Sequence, residues 1–295
     1  MKTVMRVMLV FGLVIGLVAV PAGAAAEAPG THERTLTMPG GWAREYLLHV
    51  PPGRTKARPL VVALHGGLND MHYIREQTGL DEVSDKNGFL VAYPNGFMRT
   101  WNAGGCCWFA RMAGIDDVGF LDALIDKLVR DGLADPRRIY LTGFSNGGGM
   151  AYRYACERAG RVAAIGVVSG SLATECEPRD AVSVMAFHGT ADFSVPFGGG
   201  GNLDWNNENP FPSVISVMNF WRDLYRLSPL RRITLDTAKT TCRTTGRGPS
   251  GTEVEFCTIF DGGHEWPRGA DVGVDPEVEA SPMLWRFFNA HVRRG

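Results

Sequence analysis

No block of basic residues interrupts this 295-residue chain, and 30 Lys and Arg against 31 Asp and Glu leave a formal net charge of −1. A protein that grips nucleic acid needs a cationic stripe, so that class of partner is argued against. Cys-x-x-Cys and His-x-x-x-His spacings are also missing, and with them the usual ligand frame of a metal site. Neither an internal repeat nor an interdomain linker breaks the pattern, so residues 27–295 read as a single domain. Long apolar runs are scarce. Residues 8–20 form one, too short to span a bilayer comfortably. With Lys2 and Arg6 before it and Pro21-Ala22-Gly23-Ala24-Ala25-Ala26 after it, residues 1–26 read as an export signal cut after Ala24 or Ala26. No cysteine sits at that junction, which argues against a lipid anchor.

Cysteine is sparse but telling. Six in an exported chain imply disulfides. Cys242 and Cys257 flank a polar, glycine-containing segment next to the strand-like alternation of Glu253-Val254-Glu255-Phe256, and this pair reads as a hairpin staple. Adjacent cysteines seldom bond to one another because the ring is strained, so Cys106 and Cys107 are each expected to pair with Cys156 or Cys176.

Short apolar runs recur at residues 44–50, 59–64, 89–93, 139–142, 163–169 and 182–187, several separated by helical patterns. Phe120, Leu121, Leu124, Ile125, Leu128 and Val129 repeat on one helix face, with Asp116 or Asp117 placed to cap it. Leu284, Trp285, Phe287, Phe288 and Val292 suggest a closing helix. Strands alternating with helices predict an α/β domain with a mainly parallel central sheet and helices on both faces. In such a sheet the site belongs at the carboxyl ends of the strands.

One of those ends carries Gly143-Phe144-Ser145-Asn146-Gly147. A serine between glycines, after a buried strand and before a helix, has the form of a nucleophile elbow, in which the turn lifts the hydroxyl clear of the sheet. Serine is a poor nucleophile unless a base lies within hydrogen-bond reach and an acid orients that base. Both follow in order. Asp192 comes shortly after the strand at residues 182–187, in His188-Gly189-Thr190-Ala191-Asp192, and His264 follows the strand at residues 254–260. Asp180 and Asp204 are rival acids that follow no strand directly. His32, His49, His65, His72 and His188 precede Asp192, and His291 lies on the terminal helix. An oxyanion needs backbone donors. Asn146 offers one, and Gly67 in Leu64-His65-Gly66-Gly67-Leu68 offers the other, with Leu68 next in line. His65 reads as a brace for that loop. Trp266, Phe144 and Trp108 are the candidate substrate-binding side chains.

In order along the chain stand His65-Gly66-Gly67, Trp101-Asn102-Ala103-Gly104-Gly105-Cys106-Cys107, Asp116-Asp117-Val118-Gly119-Phe120, the elbow, His188-Gly189-Thr190-Ala191-Asp192 and Gly263-His264-Glu265-Trp266-Pro267. Together they resemble the secreted esterases that group polyhydroxybutyrate depolymerases with feruloyl and acetyl xylan esterases. The resemblance implies an α/β-hydrolase fold, a Ser145-Asp192-His264 triad, no metal or other cofactor, and extracellular or periplasmic action. The substrate it implies is a small-molecule or oligosaccharide ester carrying feruloyl, acetyl or short hydroxyalkanoate groups. Neither a nucleic-acid partner nor membrane insertion after signal cleavage is expected. Members often carry a cysteine after the helix matching residues 214–225; this chain has Leu227-Ser228-Pro229, so their disulfide pattern does not transfer. Residues 198–212, rich in glycine, are either a mobile loop holding Phe197 and Trp205 near substrate or a plain surface loop. The rival class of function is a binding protein that keeps the fold without turnover.

Overall fold

A computed structural model describes residues 27–53, 57–201, 210–270 and 272–293. The expected signal, residues 1–26, lies outside the described residues. Ten strands form one sheet: β1 (Gly30–Thr37), β2 (Ala43–Val50), β3 (Arg58–Leu64), β4 (Leu90–Pro94), β5 (Ala134–Phe144), β6 (Ala164–Val168), β7 (Ser183–Gly189), β8 (Arg232–Asp236), β9 (Thr240–Thr244) and β10 (Val254–Ile259). Their order is β1-β2-β4-β3-β5-β6-β7-β10-β9-β8. From β4 to β10 every pairing is parallel, while β1 and β2 at one edge and β9 and β8 at the other run antiparallel to their neighbours.

The helices are α1 (Met71–Thr78), α2 (Leu80–Asn87), α3 (Trp108–Met112), α4 (Asp117–Arg130), α5 (Asn146–Glu157), α6 (Val214–Leu224) and α7 (Ala280–Ala290). Successive strand residues point to opposite faces, so a strand covered on both sides feeds two cores. Leu60, Val62, Ile139 and Leu141 meet α4, α5 and α6 on one side. Val61, Ala63, Tyr140 and Met185 meet α1, α2 and α7 on the other. Asp116 caps α4 by accepting from the Gly119 amide at 2.8 Å, whereas Asp117 is buried in an ion pair with Arg44, also 2.8 Å. Among the described residues no helix is long and apolar enough to cross a membrane.

The disulfides correct one expectation. Cys156 in the last turn of α5 bonds Cys176, with Cα atoms 4.9 Å apart, and is therefore closed to Cys106 and Cys107. Those two are joined by a cis peptide that sets their Cα atoms 3.1 Å apart, and they bond to each other. Cys242 and Cys257 are bonded and face one another across the β9–β10 register, so the staple lies between antiparallel neighbours.

Candidate active site

β5 ends at Phe144 and α5 begins at Asn146, so the chain turns at Ser145 alone, with φ 54° and ψ −119°. A side chain other than glycine seldom takes a positive φ, and here the turn raises Oγ above the strand ends. The neighbours must be small. A methyl group at Gly143 would overlap the backbone of Gly147, and one at Gly147 would overlap the carbonyls of Leu64 and His65. The Ser145 amide donates to the Val168 carbonyl at 3.0 Å, tying the elbow to the end of β6.

β7 and β10 run parallel to β5, so the loops after them open at the same end. The structure brings Ser145, His264 and Asp192 into one line. His264 Nδ1–H donates to Asp192 Oδ2 at 2.8 Å, and Nε2 lies 2.9 Å from Ser145 Oγ, placed to accept its proton. Asp192 Oδ1 accepts from the amides of Ser194 at 2.9 Å and Val195 at 2.8 Å. A second imidazole stands beneath this carboxylate. His188 Nε2 is 2.8 Å from the Val195 carbonyl, which can only accept, so that nitrogen carries a proton; the same atom is 3.4 Å from Asp192 Oδ2. Burial would raise the Asp192 carboxyl, but hydrogen bonds from His188, His264 and the Val195 amide outweigh it and hold the group well below the usual carboxylate range.

The loop after β3 supplies the second side of the site. The Leu68 amide donates to the Arg99 carbonyl at 2.7 Å, which removes Leu68 as an oxyanion donor. Among the described residues no acceptor meets the amides of Gly67 or Asn146. Asn146, first in α5, has an amide that the helix cannot satisfy. Its carboxamide is occupied elsewhere: Oδ1 accepts from the Trp101 amide at 2.8 Å and Nδ2 donates to the Trp101 carbonyl at 2.9 Å. The Trp101 indole N–H donates to the His65 carbonyl at 3.0 Å, and His65 Nε2 accepts from the Gly96 amide at 2.9 Å. With Nε2 an acceptor, the proton sits on Nδ1, bonded to the Gly66 carbonyl at 2.8 Å. Burial pushes His65 down to about 4, so it stays neutral and braces the loop.

Of the three substrate-wall candidates, two line the cleft and one does not. Phe144 packs its ring 4.8 Å from that of His264, and Trp108 lies so close over Gly67 that a methyl group there would strike its ring. Trp266 is a correction: it is fully buried with α7, its indole N–H donating to Ser281 Oγ at 3.1 Å. Two residues beyond His264 the chain has already turned inward. Phe197 is likewise drawn away from the cleft lining, packing at 6.1 Å against His188 and 6.2 Å against Phe256. Trp205 lies outside the described residues, as does most of the 198–212 loop. The base of that loop is closed by two bonds of 2.8 Å between the backbones of Gly200 and Phe211.

These parts frame a cleft of about 710 Å³ that contains Ser145 and His264. Sequence reasoning missed its far walls: Phe211, Val195, Ser171 and Phe193, the last 92% exposed at the rim. Only Phe193 carried a signal, as an aromatic beside the candidate acid. Among the described residues no cluster of His, Cys, Asp or Glu is disposed to hold a metal ion. The arrangement can activate a hydroxyl and stabilise an oxyanion formed beside it.

The family model described as esterase PHB depolymerase matches residues 44–198. NocK of Nocardia uniformis subsp. tsuyamanensis, which is named as an esterase, is 32% identical over 248 residues, covering 78% of this chain and 72% of its own. Feruloyl esterase C of Emericella nidulans is 30% identical over 267 residues, covering 84% of each. Among solved structures, acetyl xylan esterase from Aspergillus awamori superposes with a TM-score of 0.61 at 15% identity, over 87% of this chain and 99% of that one. That likeness shows the α/β-hydrolase fold.

Proposed function

The chain belongs to the esterase PHB depolymerase family and is a carboxylic ester hydrolase, and from that premise we propose that it is an exported serine esterase working through an acyl-enzyme on Ser145. The observation that carries this reading is the line from Ser145 Oγ through His264 to Asp192, with links of 2.9 and 2.8 Å, beside two unspent backbone amides.

In the first half-reaction Ser145 Oγ attacks the ester carbonyl carbon while its proton passes to His264 Nε2. Asp192 holds the imidazole in the tautomer that leaves Nε2 free and stabilises the imidazolium that forms. The carbonyl electrons move onto oxygen, where the amides of Gly67 and Asn146 donate to them. Collapse returns the electrons to the carbonyl, breaks the bond to the alkoxy oxygen and sends the His264 proton to the departing alcohol. Water then repeats the sequence: His264 takes its proton, hydroxide adds to the acyl carbon, and the Ser145 oxygen leaves with that proton. The free acid is released.

Feruloyl, acetyl or short hydroxyalkanoate esters, polysaccharide-linked or oligomeric, are the substrates that this reading assigns. Export rests on the leader-like residues 1–26, and three disulfides suit an oxidising compartment. The test is hydrolysis of p-nitrophenyl acetate by the mature protein and by its Ser145→Ala variant. A loss of roughly 10³-fold or more supports the assignment, and activity that survives the substitution sinks it.

A further inference from the structure

Residues 101–107 and 116–120 stand out in the sequence yet supply nothing to the line from Ser145 to Asp192. They meet at a buried ion pair. Arg44 on β2 and Asp117 at the start of α4 have side chains 4% and 0% exposed, and Arg44 Nη2 donates to Asp117 Oδ1 at 2.8 Å. The guanidinium carbon lies 3.9 Å from the centroid of the Phe120 ring and 5.9 Å from that of Trp101. Taking two charges out of water is costly, and apolar side chains of similar volume often fill such a place as well or better. The pair needs a reason beyond filling space, and its other bonds give one.

Each partner grips one end of the same loop. Arg44 Nη2 also donates to the Asn95 carbonyl at 2.9 Å, and Asp117 Oδ2 accepts from the Asn102 amide at 2.8 Å. Between those ends the loop touches both sides of the candidate oxyanion hole. Toward Gly67, the Gly96 amide donates to His65 Nε2 at 2.9 Å, the Trp101 indole N–H to the His65 carbonyl at 3.0 Å, and the Leu68 amide to the Arg99 carbonyl at 2.7 Å. Toward the elbow, the Trp101 backbone bonds the Asn146 carboxamide through its N–H at 2.8 Å and its carbonyl at 2.9 Å. Thr100 Oγ1 accepts from the Ala110 amide at 3.0 Å and so holds α3, whose Trp108 covers Gly67. Gly67 and Asn146 belong to different elements, so the distance between their amides depends on what bridges them. We propose that Arg44 and Asp117 are positioning residues: the ion pair holds both ends of the 95–102 loop, and the loop sets the spacing of the two oxyanion donors. This role rests on the acyl-enzyme reading above.

The experiment measures kcat and KM on p-nitrophenyl acetate and Ki for benzyl trifluoromethyl ketone. Ser145 Oγ adds to the ketone carbon, its proton passes to His264 Nε2 and the carbonyl electrons come to rest on oxygen in the hole, so Ki reads the donors without turnover. Each kcat is divided by the fraction of molecules that a fluorophosphonate labels to completion, so misfolded material cancels. Arg44→Leu with Asp117→Leu removes both charges and leaves neither unpaired; Arg44→Lys keeps a cation opposite Asp117 but loses the fork that reaches two acceptors. The double variant is expected to lower kcat roughly 10- to 100-fold and to raise Ki by the same factor, with KM little changed. Arg44→Lys should show a smaller change in the same direction, and where it alone retains label the same readings on it decide. Unchanged kcat and Ki, a loss confined to KM, or a fall in kcat with Ki unmoved would overturn the proposal and leave the esterase reading intact. So would an absence of labelled sites in both variants beside a labelled wild type, which would make the pair a folding element. A wild type that neither cleaves the acetate nor takes the label would overturn the esterase reading and this role with it.

Discussion

Burial alone would push the Asp192 carboxyl up, so its low value is the work of its partners, and His188 is the partner that sequence order passed over. His188 precedes the acid in the chain and so falls outside the order expected of the base; three-dimensional placement puts it under the carboxylate instead. Its N–H clamps the Val195 carbonyl, whose own amide bonds Asp192 Oδ1, so the imidazole fixes the loop that presents the acid. His188→Leu is expected to lower kcat roughly tenfold on p-nitrophenyl acetate with KM little changed, and His188→Gln, which retains an N–H donor, to recover part of the loss. An equal loss in both variants, or a change confined to KM, would remove His188 from this role. Gly67 gives a second residue-scale test. A methyl group there must displace the Trp108 ring and with it the second oxyanion donor, so Gly67→Ala should cost about 10² to 10³ in kcat in steady-state assays. Trp266 shows the limit of adjacency: nearness to His264 in sequence says nothing of which way the chain turns next.

At the scale of elements, the strand-turn-helix at Ser145 was legible because its glycines have no substitute. The first turn of α5 lies so close to the end of β3 that Gly147→Ala would force its methyl group into the Leu64 and His65 carbonyls. We expect that variant to lose about 1–3 kcal/mol of stability, seen as a lowered Tm, since backbone on both sides cannot give way. The central strands were legible as well, because burial on both faces turns them into short continuous apolar runs. The edges were not. β8 is largely exposed and alternates over only five residues, and β1 is partly buried with Leu36 its one large aliphatic side chain, so neither carries a run long enough to mark a strand. The Cys242–Cys257 staple was readable from spacing. Replacing both cysteines by alanine should cost about 3 kcal/mol by releasing a loop of that length, measured by denaturant unfolding. The Cys106–Cys107 bond was not readable, because a general strain argument carries no information about the local backbone.

Across the whole molecule, the site is a meeting of loops from β3, β5, β7 and β10, and its stability depends on pH through groups that hold those loops. His65 is held neutral down to about 4 against an ordinary value of 6.5. The unfolded chain therefore binds a proton there before the native one does, so stability is full above about pH 6.5 and falls as the pH drops towards 4, by roughly 3 kcal/mol. Asp192 acts in the same direction below the usual carboxylate range, where protonation removes its bonds to His264 and His188. Urea midpoints recorded between pH 7 and pH 4 should decline over that window, and His65→Phe should flatten the decline. The order Ser145, Asp192, His264 was visible in sequence because each residue follows a buried strand; the cleft was not, since its far walls come from residues 171, 193, 195 and 211, which no local pattern unites. The claim on which all of this depends is that Ser145 is an activated nucleophile, and a fluorophosphonate probe with peptide mapping tests it most directly. The account predicts a single adduct on Ser145 that disappears when the protein is unfolded or His264 is replaced by alanine; a folded protein that stays unlabelled, as a non-catalytic binding protein would, or an adduct on another residue, would contradict it.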